Sequence, residues 1–99
     1  MNINISENED TVFAVFDGDV DLMGIKELKE VLFNAVKTND KNLEVDLRHA
    51  NYLDSSGIGM FLTLNKMLRD KGKKLKLVNI PDVIQKIFEL SSADGLFKS

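Results

Sequence analysis

Apolar and polar residues alternate with a period of two at the start of the chain. Ile3 and Ile5 stand between Asn2, Asn4 and Ser6, which predicts a short strand over 2–6. A polar turn, Glu7-Asn8-Glu9-Asp10, separates it from a Val- and Phe-rich stretch over 11–16. That stretch is expected to be a second strand, paired with the first as a hairpin and ended by Gly18. The period then lengthens. Ile25, Leu28, Val31, Leu32, Ala35 and Val36 recur at helical spacing over 23–37, and Thr38-Asn39-Asp40 closes that helix. Leu43, Val45 and Leu47 alternate with Glu44, Asp46 and Arg48 in a third strand. A loop over 49–54 leads to a helix over 56–71, ended by Gly72. Leu75 and Leu77 alternate with Lys74 and Lys76 in a fourth strand. Pro81 is expected in the first turn of a last helix that uses Val83, Ile84, Ile87 and Phe88. The tail over 91–99 is expected to fold back, anchored by Leu96 and Phe97.

The order strand, strand, helix, strand, helix, strand, helix implies right-handed crossovers and a mostly parallel sheet. Strands covered on both faces would read as continuous apolar runs. The third and fourth strands instead alternate charged and apolar residues, so one sheet face is wet. The fold class expected is α/β, a single-layer, mixed, mostly parallel four-stranded sheet with all three helices packed on one face.

Ninety-nine residues, 43% apolar and 29% charged, suit one globular domain over 1–99. A net charge of −3 argues against a nucleic-acid partner, since phosphate neutralisation needs a basic surface. Lys71, Lys73, Lys74 and Lys76 cluster, but across a helix end and the next strand, as a solvated edge with favourable charge at a helix C-terminus. The absence of cysteine removes disulfide and thiolate chemistry. The first residues have neither the basic region nor the apolar core of a signal peptide, and no run approaches the length of a membrane span. The expectation is a soluble, unprocessed cytoplasmic protein with no membrane association.

The chemistry-bearing segment is Asp54-Ser55-Ser56-Gly57-Ile58-Gly59, at the turn from loop to helix. A serine there is either a helix cap or a modifiable hydroxyl. On a wheel of about 100° per residue, Met60, Phe61, Leu64, Met67 and Leu68 form the core arc. Ser55 projects opposite that arc, and Ser56 nearer its edge. Ile58, Gly59 and Leu62 fall on the side of Ser55, as a docking surface or as a face covered by a neighbouring element. First-turn N–H groups and the helix dipole would receive a phosphate on Ser55. That phosphate would arrive beside Asp54 and near Asp21, and would repel a docked partner. Other readings fit less well. His49 is the only histidine and has no second ligand for a metal site. Asp21, Asp46 and Asp54 are strand-end acids of a common kind, so neither metal nor cofactor is expected. A serine hydrolase using Ser55 or Ser56 with His49 and Asp54 lacks the Gly-x-Ser-x-Gly elbow, because Leu53 or Asp54 stands two before the serine.

In this position and element order, Asp54 to Gly59 resembles the signature of STAS domains, and bacterial anti-sigma factor antagonists in particular. Gly18-Asp19-Val20-Asp21 and the C-terminal run from Val83 to Leu90 with Gly95-Leu96-Phe97 are similar to further family features, so the resemblance spans essentially the whole chain. It implies a non-enzymatic switch in which Ser55 is phosphorylated by an anti-sigma factor that is also a serine kinase. The unphosphorylated form binds that kinase and frees the sigma factor, and a phosphoserine phosphatase resets the switch. Asp54, Ser56 and Gly57 would flank the phosphosite, with Asp21, Ile58, Gly59 and Leu62 contacting the partner. Within the same fold, a scaffold subunit of a larger signalling or lipid-transport complex is the alternative.

Overall fold

The computed structural model describes residues 2–20 and 22–91. Strands β1 (Asn2–Glu7) and β2 (Thr11–Val20) form an antiparallel hairpin, followed by helix α1 (Leu22–Thr38) and strand β3 (Asn42–Asp46). A short strand β4 (Ala50–Leu53) leads into helix α2 (Ser55–Asp70), and strand β5 (Leu75–Val78) and helix α3 (Asp82–Leu90) complete the order. The sheet runs β1-β2-β3-β5, with β4 pairing to β2 beyond the end of β3. All pairings except the first hairpin are parallel.

The hairpin turn is built by Asn8, whose Oδ1 accepts from the N–H groups of Asp10 and Thr11, both at 2.8 Å. Asparagine does this readily because its short side chain mimics a backbone turn. In the parallel register Val12, Leu43 and Leu75 form one inward row, and Ala14, Val45 and Leu77 the next. Onto this face pack Ile25, Leu28, Leu32 and Val36 of α1, Phe61, Leu64 and Leu68 of α2, and Ile84 and Phe88 of α3. Glu44, Asp46 and Lys76 alternate with the buried rows, so the other face is the wet one inferred from the pattern.

The sequence reading misses one strand. The segment assigned to a loop over 49–54 contains β4, so the sheet has five strands rather than four. Its four residues carry no period-two signal, and its pairing is irregular, with a register shift between Gly18 and Val20. Gly18 does not end β2: at φ +131 it bends a strand that continues to Val20. Such a φ is open to glycine and strained for other residues. α2 ends on a Schellman turn. Gly72, at φ +73, donates to the Arg69 carbonyl at 2.9 Å, and Lys73 donates to the Leu68 carbonyl at 2.8 Å. Pro81 stands one residue before α3, in extended conformation, rather than within its first turn. Val83, assigned to the core, is 54% exposed, because α3 spends only Ile84, Phe88 and part of Ile87 on the core. The expected anchoring of Leu96 and Phe97 lies outside the described residues.

Candidate functional site at the mouth of the parallel strands

The carboxyl ends of β2 and β4 meet where Val20 pairs with Leu53. The next residue, Asp54, leaves β4 in extended conformation (φ −95, ψ −175) and caps α2. Its Oδ1 accepts from the N–H of Ser56 at 3.0 Å and of Gly57 at 3.2 Å, and its carbonyl accepts from Ile58 N–H at 3.1 Å. Aspartate is among the best residues here, because the carboxylate satisfies donors the helix cannot pair internally and meets the positive end of the dipole. Ser55 is therefore the first helical residue.

Ser55 is exposed, as its position opposite the core arc implies. Ser56 is exposed as well, so the expected shielding of Ser56 does not hold. Helical projection fails at the first turn, where Ser56 stays open to solvent. Gly57 is buried. Ile58 needs a larger correction. It is only 7% exposed and belongs to the core, although the wheel put it with Ser55. α2 packs against α1, β4 and β5 together, so its buried arc is wider than a single facing element would make it. Leu62 is 47% exposed and Gly59 is open, with no atom within 4 Å of a Cβ built there. The exposed face of α2 near the cap is thus Ser55, Ser56, Gly59 and Leu62. Asp21 lies outside the described residues.

The cap also occupies donors that an anion would use. The Ser56 and Gly57 N–H groups assigned to a phosphate are already held by the Asp54 carboxylate. A phosphate on Ser55 would meet that carboxylate at close quarters, so its effect is one of added charge more than of a vacant cradle.

At the end of β3, Asp46 accepts from Arg48 N–H at 2.9 Å, Arg48 Nε at 2.8 Å and Asn79 Nδ2 at 3.0 Å. Burial pushes the Asp46 carboxyl up, but the hydrogen bonds from Arg48 and Asn79 and the Arg48 charge outweigh it and hold the group below its ordinary range. Asp46 also raises the Arg48 guanidinium. This knot ties β3 to the turn after β5, where Asn79 adopts φ +52. No sequence pattern indicated the Asn79 contact, which joins residues far apart in the chain. Among the described residues, no three His, Cys, Asp or Glu side chains converge on a possible metal position, and no helix is long and apolar enough to cross a membrane.

A one-sided α/β layer with a capped serine pair at the mouth of its parallel strands is a STAS arrangement, and the family model described as "Mlab, STAS domain" matches residues 3–98. The chain belongs to the STAS domain family. Within it, the chain groups with anti-sigma factor antagonists. It is 31% identical over 98 residues to the anti-sigma-B factor antagonist of Staphylococcus aureus (strain NCTC 8325 / PS 47), covering 97% of this chain and 91% of that protein. The Bacillus subtilis (strain 168) anti-sigma-B factor antagonist is 26% identical over 91 residues, covering 92% and 83%. In fold it matches the anti-sigma factor antagonist SpoIIAA in its unphosphorylated form, with a TM-score of 0.84, 17% identity, and 97% and 85% of the two chains covered. The phosphorylated form of SpoIIAA, a Bacillus cell fate determinant, gives 0.76 at 17% identity, covering 97% and 88%.

Proposed function

We propose that this chain is a single-domain phospho-switch. In this reading the unphosphorylated protein binds an anti-sigma factor that is also a serine kinase, and thereby releases a sigma factor. The kinase transfers a phosphate to Ser55, the modified protein lets go, and a phosphoserine phosphatase restores it. The protein acts by binding, without catalysis of its own, and works in the cytoplasm where sigma factors meet RNA polymerase. The observation that carries the reading is Ser55 itself, an exposed hydroxyl on the first residue of α2, directly after the Asp54 cap. Exposure does not choose between Ser55 and Ser56. The choice of Ser55 rests on the family resemblance of the Asp54-Ser55-Ser56-Gly57 run.

The switch follows from charge. Phosphorylation adds about −1.5 to −2 charges beside a carboxylate already committed to two backbone donors. The cap is local to the first turn, while the core of α2 lies at Phe61, Leu64 and Leu68, so the fold survives. A partner seated on Ser55, Gly59 and Leu62 would face a new dianion and lose affinity.

The test is to mix the purified protein with each anti-sigma-type kinase encoded in the source genome, measuring binding by calorimetry and transfer from labelled ATP. Binding by at least one kinase, lost after labelling of Ser55, is the expected result. Binding by none overturns the reading. A second reading, a scaffold subunit of a larger complex, is favoured by Val83 and Leu90 on α3. These are 54% and 85% exposed, and the switch leaves them unused. It predicts no phosphate transfer and stable co-purification instead.

A further inference from the structure

The path β1-β2-β3-β5 leaves one strand at each end of the sheet, and an end strand presents a row of unpaired main-chain groups. The two ends are built differently. β5 has four residues, with Lys76 inside it and Lys74 just before it. Edge lysines discourage a further strand, because their charge would be crowded by it. β1 has six residues, Asn2 to Glu7, without lysine or proline, and its register to β2 is unbroken. In a chain that is 29% charged, the stretch 2–6 carries no ionisable side chain. Among the described residues, β1 pairs with β2 alone.

Hydrogen bonding at the hairpin turn fixes which groups of β1 face outward. Asn8 N–H donates to the Thr11 carbonyl at 3.0 Å, so residues 8 and 11 form a hydrogen-bonded pair. Such pairs alternate along an antiparallel ladder. Asn2, Asn4 and Ser6 therefore turn their main-chain groups to β2, and Ile3, Ile5 and Glu7 turn theirs out. The side chains follow the pleat. Ile3 and Ile5 lie opposite Phe16 and Ala14 on the covered face, and Asn4 and Ser6 lie opposite Val15 and Phe13 on the wet one. Ile3 is partly buried against the core, while Ile5, at the open rim, is 43% exposed.

The stretch 2–6 is symmetric in kind about Asn4: polar, apolar, polar, apolar, polar. A second copy related by a two-fold axis beside Asn4 would set each Ile3 opposite an Ile5, Asn4 opposite Asn4, and each Asn2 opposite a Ser6. The outward N–H and carbonyl groups of Ile3 and Ile5 on both copies would then be paired. The isoleucines would extend the covered face, and no charge would meet a like charge. Sliding the copies by two residues would set Ile3 against Glu7, whose carboxylate is held by Lys41 at 3.3 Å. The symmetry selects a second copy over an unrelated strand, since a two-fold contact must be complementary to itself.

We infer that β1 pairs antiparallel with β1 of a second copy of this chain, about a two-fold axis at Asn4, joining two sheets into one. A stable interface engages about 20–30 residues a side, and this edge offers only the stretch 2–6, so the dimer is weak and concentration-dependent. It is independent of the binding reading above, because β1 carries none of the switch residues.

The absence of cysteine allows a test specific to this register. Across the axis the two Asn4 residues form a non-hydrogen-bonded pair with Cα atoms about 4.5 Å apart, within reach of a disulfide. Asn4→Cys, oxidised at high protein concentration, should give a covalent dimer. Ser6 is exposed on the same face, but the two copies of Ser6 stand roughly 13 Å apart along the strands. Ser6→Cys should cross-link at least roughly tenfold less, because that span is too long for a disulfide. Sedimentation of the wild type from ~10 μM to ~1 mM should show the mass rising from one chain toward two, the range of a weak dimer. Over that range, hydrogen exchange should slow at the Ile3 and Ile5 amides and stay unchanged at Asn4 and Ser6, which β2 already holds. Ile5→Lys should fold and sediment as one chain throughout. Equal cross-linking of the two cysteine variants overturns the inference. So does a wild type that stays single to ~1 mM, or an association that leaves the Ile3 and Ile5 amides in fast exchange. Protection of those amides only when a kinase that the wild type binds is added overturns it too, and assigns the edge to a strand of that partner.

Discussion

Ile58 and Leu62 sit one turn apart on α2, and projection assigns both to the same side. The structure separates them: Ile58 is 7% exposed and Leu62 47%. Truncating each to alanine should therefore have different costs. Ile58 belongs to the core cluster, and removing a buried isoleucine side chain to alanine costs about 2–5 kcal/mol, the lost transfer energy plus the cavity left behind. For Leu62, full burial is worth about 1.5–3 kcal/mol, and roughly half of that applies to a half-exposed side chain. The denatured chain already covers part of its apolar surface, and alanine is the better helix former. Leu62→Ala should cost below about 1 kcal/mol. Urea unfolding, with unchanged slope, reads both values. Calorimetry against the kinase proposed as partner should reverse the order: Leu62→Ala loses affinity, while folded Ile58→Ala keeps it, since its buried side chain cannot reach a partner. Equal unfolding costs for the two variants would refute the burial argument. Wild-type affinity in Leu62→Ala would remove it from the docking face.

Two further outcomes follow from the ends of β3 and β4. Asp54→Ala should lose about 0.5–2 kcal/mol through the two uncapped N–H groups, whereas Asp54→Asn should lose much less because asparagine also caps; thermal unfolding of the pair measures this. Asp46 has a folded pKa below its unfolded value, so its contribution to stability is complete above the unfolded carboxylate range near pH ~3.9. It is lost as pH falls through the lower folded value. Asp46→Asn should flatten the acid side of the stability profile and leave its slope near neutrality unchanged, as read by urea unfolding across pH.

Most of the fold is legible in the sequence because helices and strands with one wet face write clear periods. Leu43, Val45, Leu75 and Leu77 showed which sheet face is covered, and Met60, Phe61, Leu64 and Leu68 showed the inner face of α2. β4 was not legible because Ala50-Asn51-Tyr52-Leu53 buries only its two ends, and its pairing to β2 depends on a glycine bend. Ile58 was misread because a helical wheel knows the direction of a side chain but not the width of what covers it. At the site, the Asp54 and serine run was visible. The occupation of the Ser56 and Gly57 N–H groups by Asp54 was not, since a cap bond depends on the φ and ψ of one residue.

The central claim is that Ser55 carries the switch. The most direct measurement is phosphopeptide mapping of the protein after reaction with the proposed anti-sigma factor kinase and ATP, followed by a binding assay on the separated modified form. One phosphate, on Ser55, is expected, with loss of kinase binding and the melting transition retained. Phosphate on Ser56 alone, or a Ser55-modified protein that still binds the kinase as tightly as before, would contradict it.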